Sequence, residues 1–127
     1  MRFAGYAAIF DAPDHGGDIV RKGAFARVKP DARLPLLRQH DPRQRIGTVE
    51  QVGEDEQGLR IVAALDPPRA LKPGQGLSFG YRVRGSAQGT YRELTDLDLI
   101  EVSVVDHPMQ PLARVLAVET EGDFHGL

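Results

Sequence analysis

The chain has 127 residues, 41% hydrophobic and 27% charged, the profile of one ordinary globular domain built on a single core. A formal net charge of −2 argues against a general nucleic-acid binder, and the lack of cysteine excludes disulfides, thiol nucleophiles and thiolate metal sites. No apolar run approaches the length of a membrane span, and MRFAGYAAIF is too short in its apolar part, and too strand-like, for a signal peptide.

Strand signals dominate in chain order. RFAGYAAIF reads as a first strand, followed by the turn-rich DAPDHGGD. KGAFARV is expected to form a short helix of barely two turns. RLPLLRQH is an apolar run ending at His40; Pro35 limits it to an edge strand or a strand start. DPRQR is expected to be a loop. IGTVEQV and GLRIVAALD form the clearest hairpin, with the polar GEDEQG at its tip. PPRALKPGQG reads as a tight connection. LSFGYRVRG, a turn at SAQG, and the long TYRELTDLDLIEVSVVD follow, the last expected to bend near TDLD. ARVLAVE closes the set of strands. Many short strands at this spacing predict a small barrel or sandwich. The expected domain runs over residues 1–118, with 119–127 as a C-terminal tail read as flexible.

One stretch stands out. In QGLSFGYRVRG, Ser78 sits between Gly76 and Gly80 inside a strand. By a period of two, Leu77, Phe79, Tyr81 and Val83 share one face, and Ser78, Gly80, Arg82 and Arg84 the other. The same rule puts Ile100, Val102 and Val104 of LIEVSVV on one face and Glu101, Ser103 and Val105 on the other. A carboxylate at Glu101, within a central strand, needs a partner. A serine hydroxyl is a weak nucleophile at neutral pH. It needs a base within hydrogen-bond reach and gains from a third group that orients the base. The chain has four histidines, His15, His40, His107 and His125. His40, at a strand-to-loop edge, is the best placed for a base, and His125, in the tail, the worst. Each of these residues alone reads more readily as structural: a bulged strand around Ser78, a surface histidine at position 40.

Taken together, FAGYAAIFDAPDHGGDIVRKGAF, LPLLRQHDPRQRIGTV, GLSFGYRV and LDLIEVSVVDHPMQPLARV resemble the successive blocks of the phage prohead protease family, serine proteases that mature tailed-phage capsids. The version here is similar to those of phage-like gene transfer agents. The blocks keep the family order over about residues 3 to 116. The resemblance implies a mainly β fold, a small barrel like that of herpesvirus assemblin with one or two short helices. It implies His40 as general base, Ser78 as nucleophile and Glu101 as third member. His107 is the alternative third member, because assemblin uses histidine in that role. Gly80, Gln110 and Arg114 are the candidates for oxyanion or substrate contacts. The substrate implied is a scaffold segment or the N-terminal extension of the major capsid protein, and also the enzyme's own tail. The setting implied is the inside of an assembling procapsid in the cytoplasm of a bacterial host, where a homo-oligomer is compatible with the resemblance. No cofactor, nucleic acid or membrane partner is implied. The helix that precedes the serine block in the family has shrunk here to PPRALKPGQG.

Two rivals share these residues. One is a barrel of the same fold that binds capsid protein and cuts nothing. The other is a metal-dependent hydrolase using Asp14, His15, Asp18 and His40, which lack a convincing ligand spacing, so that no metal is expected. PDHGGD reads better as turn chemistry. Gly74, Gly76 and Gly80 do not fit a dinucleotide fingerprint.

Overall fold

The computed structural model describes residues 1–119. Eight strands follow one another: β1 (Arg2–Ile9), β2 (Asp18–Val20), β3 (Leu34–Arg38), β4 (Asp41–Glu54), β5 (Gly58–Leu65), β6 (Gly76–Gln88), β7 (Arg92–Val105) and β8 (Val115–Glu119). They form one sheet in the order β2-β7-β3-β4-β5-β1-β8, with β6 also paired to β7. The inward face carries Phe3, Leu36, Leu59, Ile61, Leu77, Leu97 and Val102, all 0% exposed.

β7 organises the site. One of its edges runs antiparallel to β6 from Arg92 to Val105. Its other edge is shared by two short parallel partners, β2 at Arg92–Leu94 and β3 at Val102–Val104. Pro35 pairs only with Thr48 of β4, and the parallel pairing to β7 begins at Leu36. Proline has no amide to donate, so it stands at the strand start, before both edges are engaged.

Between β2 and β3 the segment KGAFARV is a run of turns; among the described residues there is no helix. Gly23 has φ 96°, outside the helical region. The bonds Ala24 N–H to Arg21 O, Ala26 N–H to Gly23 O and Val28 N–H to Phe25 O each close a four-residue turn. The carbonyl of Ala24 is taken by the Leu97 amide of β7, and the Glu54 carboxylate accepts the Gly23 and Phe25 amides. Leu97 thus takes a carbonyl that a helix would have used internally, and Glu54 satisfies two amides that a helix starting here would have left without an internal partner.

The expected barrel does not close as a continuous ladder. β6 meets the segment before β8 through a single bridge, Gly76 to Arg114, and through Leu77 N–H to Ala113 O at 2.9 Å. The same segment reaches β1 through Tyr6 N–H to Arg114 O at 3.2 Å. This close approach leaves no room for a side chain at Gly5, whose added Cβ would lie 2.4 Å from the Arg114 carbonyl oxygen. The described strands are a curved, nearly wrapped sheet. The stretch DPRQR, expected as a loop, falls within β4: Asp41 pairs with Arg38 across a two-residue turn and Arg45 with Leu37, while residues 42–44 between them have no partner in the β3–β4 register. The hairpin of β4 and β5 is as expected, with Asp55 N–H bonded to Gly58 O at its tip. Of the expected tail, residues 120–127 lie outside the described residues.

Candidate active site

His40 occupies the β3–β4 turn. Gln39 and His40 are the two central residues and have φ 54° and 58°, the doubly left-handed geometry of a type I′ hairpin turn. Asparagine and glycine are the residues that suit such a turn, so this backbone must be held from outside. β7 and the chain beyond it hold it. The Gln39 amide donates to Val104 O at 3.0 Å, the Asp106 amide to Gln39 Oε1 at 2.7 Å, and the His40 amide to Ser103 Oγ at 3.0 Å.

The imidazole then turns onto Glu101, with Nδ1 2.7 Å from Oε1. Glu101 is 7% exposed, the buried charge that the alternation of LIEVSVV called for. Its second oxygen, Oε2, accepts the Ser103 hydroxyl at 2.8 Å. The hydrogen bond to Glu101 raises the His40 pKa above the ordinary histidine value, and partial burial of the ring opposes it.

Ser78 lies opposite Ser103 in the β6–β7 register. It faces a cleft lined by Gln39, His40, Ser78, Val105, His107 and Met109. Among the described residues Ser78 Oγ makes no hydrogen bond. The flanking glycines have specific occupants beside them. A Cβ on Gly76 would lie 2.7 Å from Pro108, and one on Gly80 would lie 2.9 Å from the Glu101 carboxylate. The strand has been cleared for the acid and for the proline loop.

The simple alternation fails beside Glu101, at the first of three register shifts in the β6–β7 ladder. Gly80 pairs with Glu101 and Tyr81 with Leu99, so Ile100 is an extra residue in a β-bulge. Ile100 is therefore 48% exposed, while Val102 and Val104 are buried as expected. Arg82 points outward, and Arg84 pairs with Asp98.

The remaining candidates fall outside the His40–Glu101 pair. His107 lines the cleft without a hydrogen bond to His40 among the described residues, and also lines a neighbouring hollow with His15 and Arg114. Gln110 ties the β7–β8 loop to the β1–β2 loop, donating to the carbonyls of Ala12 and Pro13. Arg114 donates to the carbonyls of Pro111 and Gly74. Asp14 accepts the amides of Gly16 and Asp18, and Asp18 pairs with Arg92, so PDHGGD is engaged in turn and ion-pair chemistry. No group of three histidine or acidic residues is arranged around a metal among the described residues. His125 lies outside them. Ser103 was not singled out as a site residue by sequence. The signal was present: residues two apart share a strand face, which sets its hydroxyl beside Glu101.

The family model for the caudovirus prohead serine protease matches residues 1–125. The prohead protease of Enterobacteria phage HK97 is 27% identical over 135 aligned positions, which cover 93% of this chain and 60% of that protein. This chain thus spans about 60% of the length of that curated relative. A crystal structure of the KSHV protease in complex with a hexapeptide phosphonate inhibitor is similar in fold, with TM-score 0.58 and 13% identity, covering 82% of this chain and 58% of that one.

Proposed function

We infer, for a chain that belongs to the caudovirus prohead serine protease family, that it is a serine endopeptidase of capsid maturation with Ser78 as nucleophile, His40 as general base and Glu101 as the acid that orients the base. The observation that carries this reading is the 2.7 Å contact between His40 Nδ1 and a nearly buried Glu101, beside a cleft that also holds Ser78. The hollow lined by Gln51, Glu54, Asp55 and Arg60 offers neither a hydroxyl nor a histidine, and the one beside the cleft holds His15 and His107 but no hydroxyl.

The chemistry follows the general logic of a serine triad. Ser78 Oγ attacks the peptide carbonyl while His40 Nε2 takes its proton. Collapse of the tetrahedral adduct passes that proton to the leaving amine and leaves an acyl-enzyme on Ser78. Water, deprotonated by the same nitrogen, then releases the acid product. Glu101 stabilises the imidazolium formed in each half. The substrate in this reading is the scaffold segment or N-terminal extension of a major capsid protein, inside a procapsid of the phage or gene-transfer-agent type.

A fluorophosphonate probe tests the nucleophile directly. Labelling of the wild-type protein at Ser78, absent in Ser78→Ala, is expected, because only an activated serine reacts readily. Co-expression with the cognate capsid protein and intact mass of both chains tests the substrate. A folded protein that takes no label and leaves the capsid protein whole is a binding module instead.

A further inference from the structure

We propose that Ser103 is a positioning residue that sets which nitrogen of His40 carries the proton. The proposal rests on the reading of His40 as the base. It is carried by a closed ring of three hydrogen bonds that ties both the backbone and the side chain of His40 to two residues of β7.

The direction of each bond follows from the groups involved. The His40 amide can only donate, so Ser103 Oγ is the acceptor at 3.0 Å. The hydroxyl proton is therefore free for its other neighbour, Glu101 Oε2, at 2.8 Å. A carboxylate only accepts, so the contact at Oε1 is made by a proton on His40 Nδ1. A neutral ring with its proton on Nδ1 has its lone pair on Nε2. That nitrogen is then the acceptor a nucleophile requires.

Three features make the serine specific to this task. It is 0% exposed, so water does not substitute for its hydroxyl. It stands at the crossing of the site's strands, opposite Ser78 of β6 on one side and Leu37 of β3 on the other. It is the hydrogen-bond partner of the His40 amide, at a turn residue whose φ of 58° needs external support. Without the hydroxyl, the carboxylate loses the donor that fixes its rotation, and the turn loses a tie to β7. The imidazole is then free to adopt the Nε2–H form that isolated imidazole side chains favour, which blocks the base.

The test is nitrogen NMR of the histidine-labelled protein, read without substrate, together with steady-state kinetics. The wild type is expected to hold neutral His40 as the Nδ1–H tautomer. Ser103→Ala is expected to populate the Nε2–H tautomer and to lose about ten- to a hundredfold in kcat with KM little changed, the effect of one hydrogen bond to a charged group. Ser103→Thr, which keeps the hydroxyl, is expected to restore the Nδ1–H tautomer and most of kcat. A wild-type His40 protonated on Nε2 overturns the proposal, as does a folded Ser103→Ala protein with wild-type tautomer and kcat. Should Ser103→Ala not fold, the wild-type and Ser103→Thr tautomers decide. A protein with the Ser103-dependent tautomer but no fluorophosphonate labelling and no cleavage refutes the protease reading and leaves the hydrogen-bonded ring standing.

Discussion

Gly80 stands directly across the β6–β7 ladder from Glu101, and the Cβ it lacks would lie 2.9 Å from that carboxylate. Gly80→Ala is therefore expected to fold but to push Glu101 off His40. A displacement of about 1 Å at a catalytic group costs on the order of 10²-fold in rate. The measurement is kcat/KM beside a denaturation curve. Full activity in a folded Gly80→Ala protein would show that the carboxylate tolerates the intrusion.

Glu101 and His107 make opposite predictions for the third role. Glu101→Gln keeps the shape of the side chain but replaces an acceptor by an amide, and the equivalent change in a serine triad lowers kcat by about 10⁴-fold. His107→Ala, at a residue that lines the cleft without bonding His40 among the described residues, is expected to stay within about threefold of wild type, since a surface substitution usually shifts energies by about 0.5 kcal/mol or less. Kinetics with a capsid-derived peptide separates the two, and the reverse order of severity transfers the role to His107.

The pH dependence follows from the raised pKa of His40, whose main cause is the hydrogen bond to Glu101. The base works only when neutral. Activity is expected to be low in mild acid and to reach its plateau above the ordinary histidine value of about 6.5. In Glu101→Gln the residual activity is expected to show its midpoint at lower pH, because the group favouring the imidazolium is gone. Stability carries the opposite sign. The protonated ring's contribution is full below the unfolded pKa of about 6.5 and is lost as pH rises through the raised native value. Profiles of kcat/KM between about pH 5 and 8, where histidine changes charge, check this, and a flat profile removes His40 from the mechanism.

Leu36 tests the scaffold under the base. It is 0% exposed and pairs with Gly47 of β4 and Val102 of β7. Leu36→Ala is expected to destabilise the protein by about 2–5 kcal/mol, the range for deleting a buried leucine side chain. Urea unfolding measures it. A loss below about 1 kcal/mol would mean that the site collapses around the cavity without difficulty.

The strands were largely legible because their alternation and their punctuating glycines and prolines are local signals. The β4–β5 hairpin is the clearest case, with its polar tip between two apolar runs. What sequence misjudged depended on distant partners. The turns at KGAFARV exist because Leu97 and Glu54 take their backbone groups. Ile100 is exposed because a bulge adds one residue, and nothing within LIEVSVV announces it. DPRQR enters β4 at Asp41 because a type I′ turn, built without the usual asparagine or glycine, pairs that residue with Arg38, and residues 42–44 bulge before Arg45 rejoins β3 at Leu37. At the candidate site, chemistry and family resemblance together singled out His40 and Glu101, which the structure places in contact. The left-handed backbone of His40 has no sequence signature, since it depends on Ser103, Val104 and Asp106.

The parallel pairing of β3 with β7 carries a consequence for timing. The imidazole and its carboxylate are 61 residues apart in the chain, and β7 is the strand that unites them. A nascent chain that has left the ribosome only through β6 already contains Ser78 and His40 but lacks the acid, the hydroxyl at Ser103 and the edge that pins the β3–β4 turn. Contacts this distant form late, after the loops between them have been closed. The polypeptide is thus expected to be chemically silent until β7 has emerged, and to acquire a working base in the same event that joins β7 to β3.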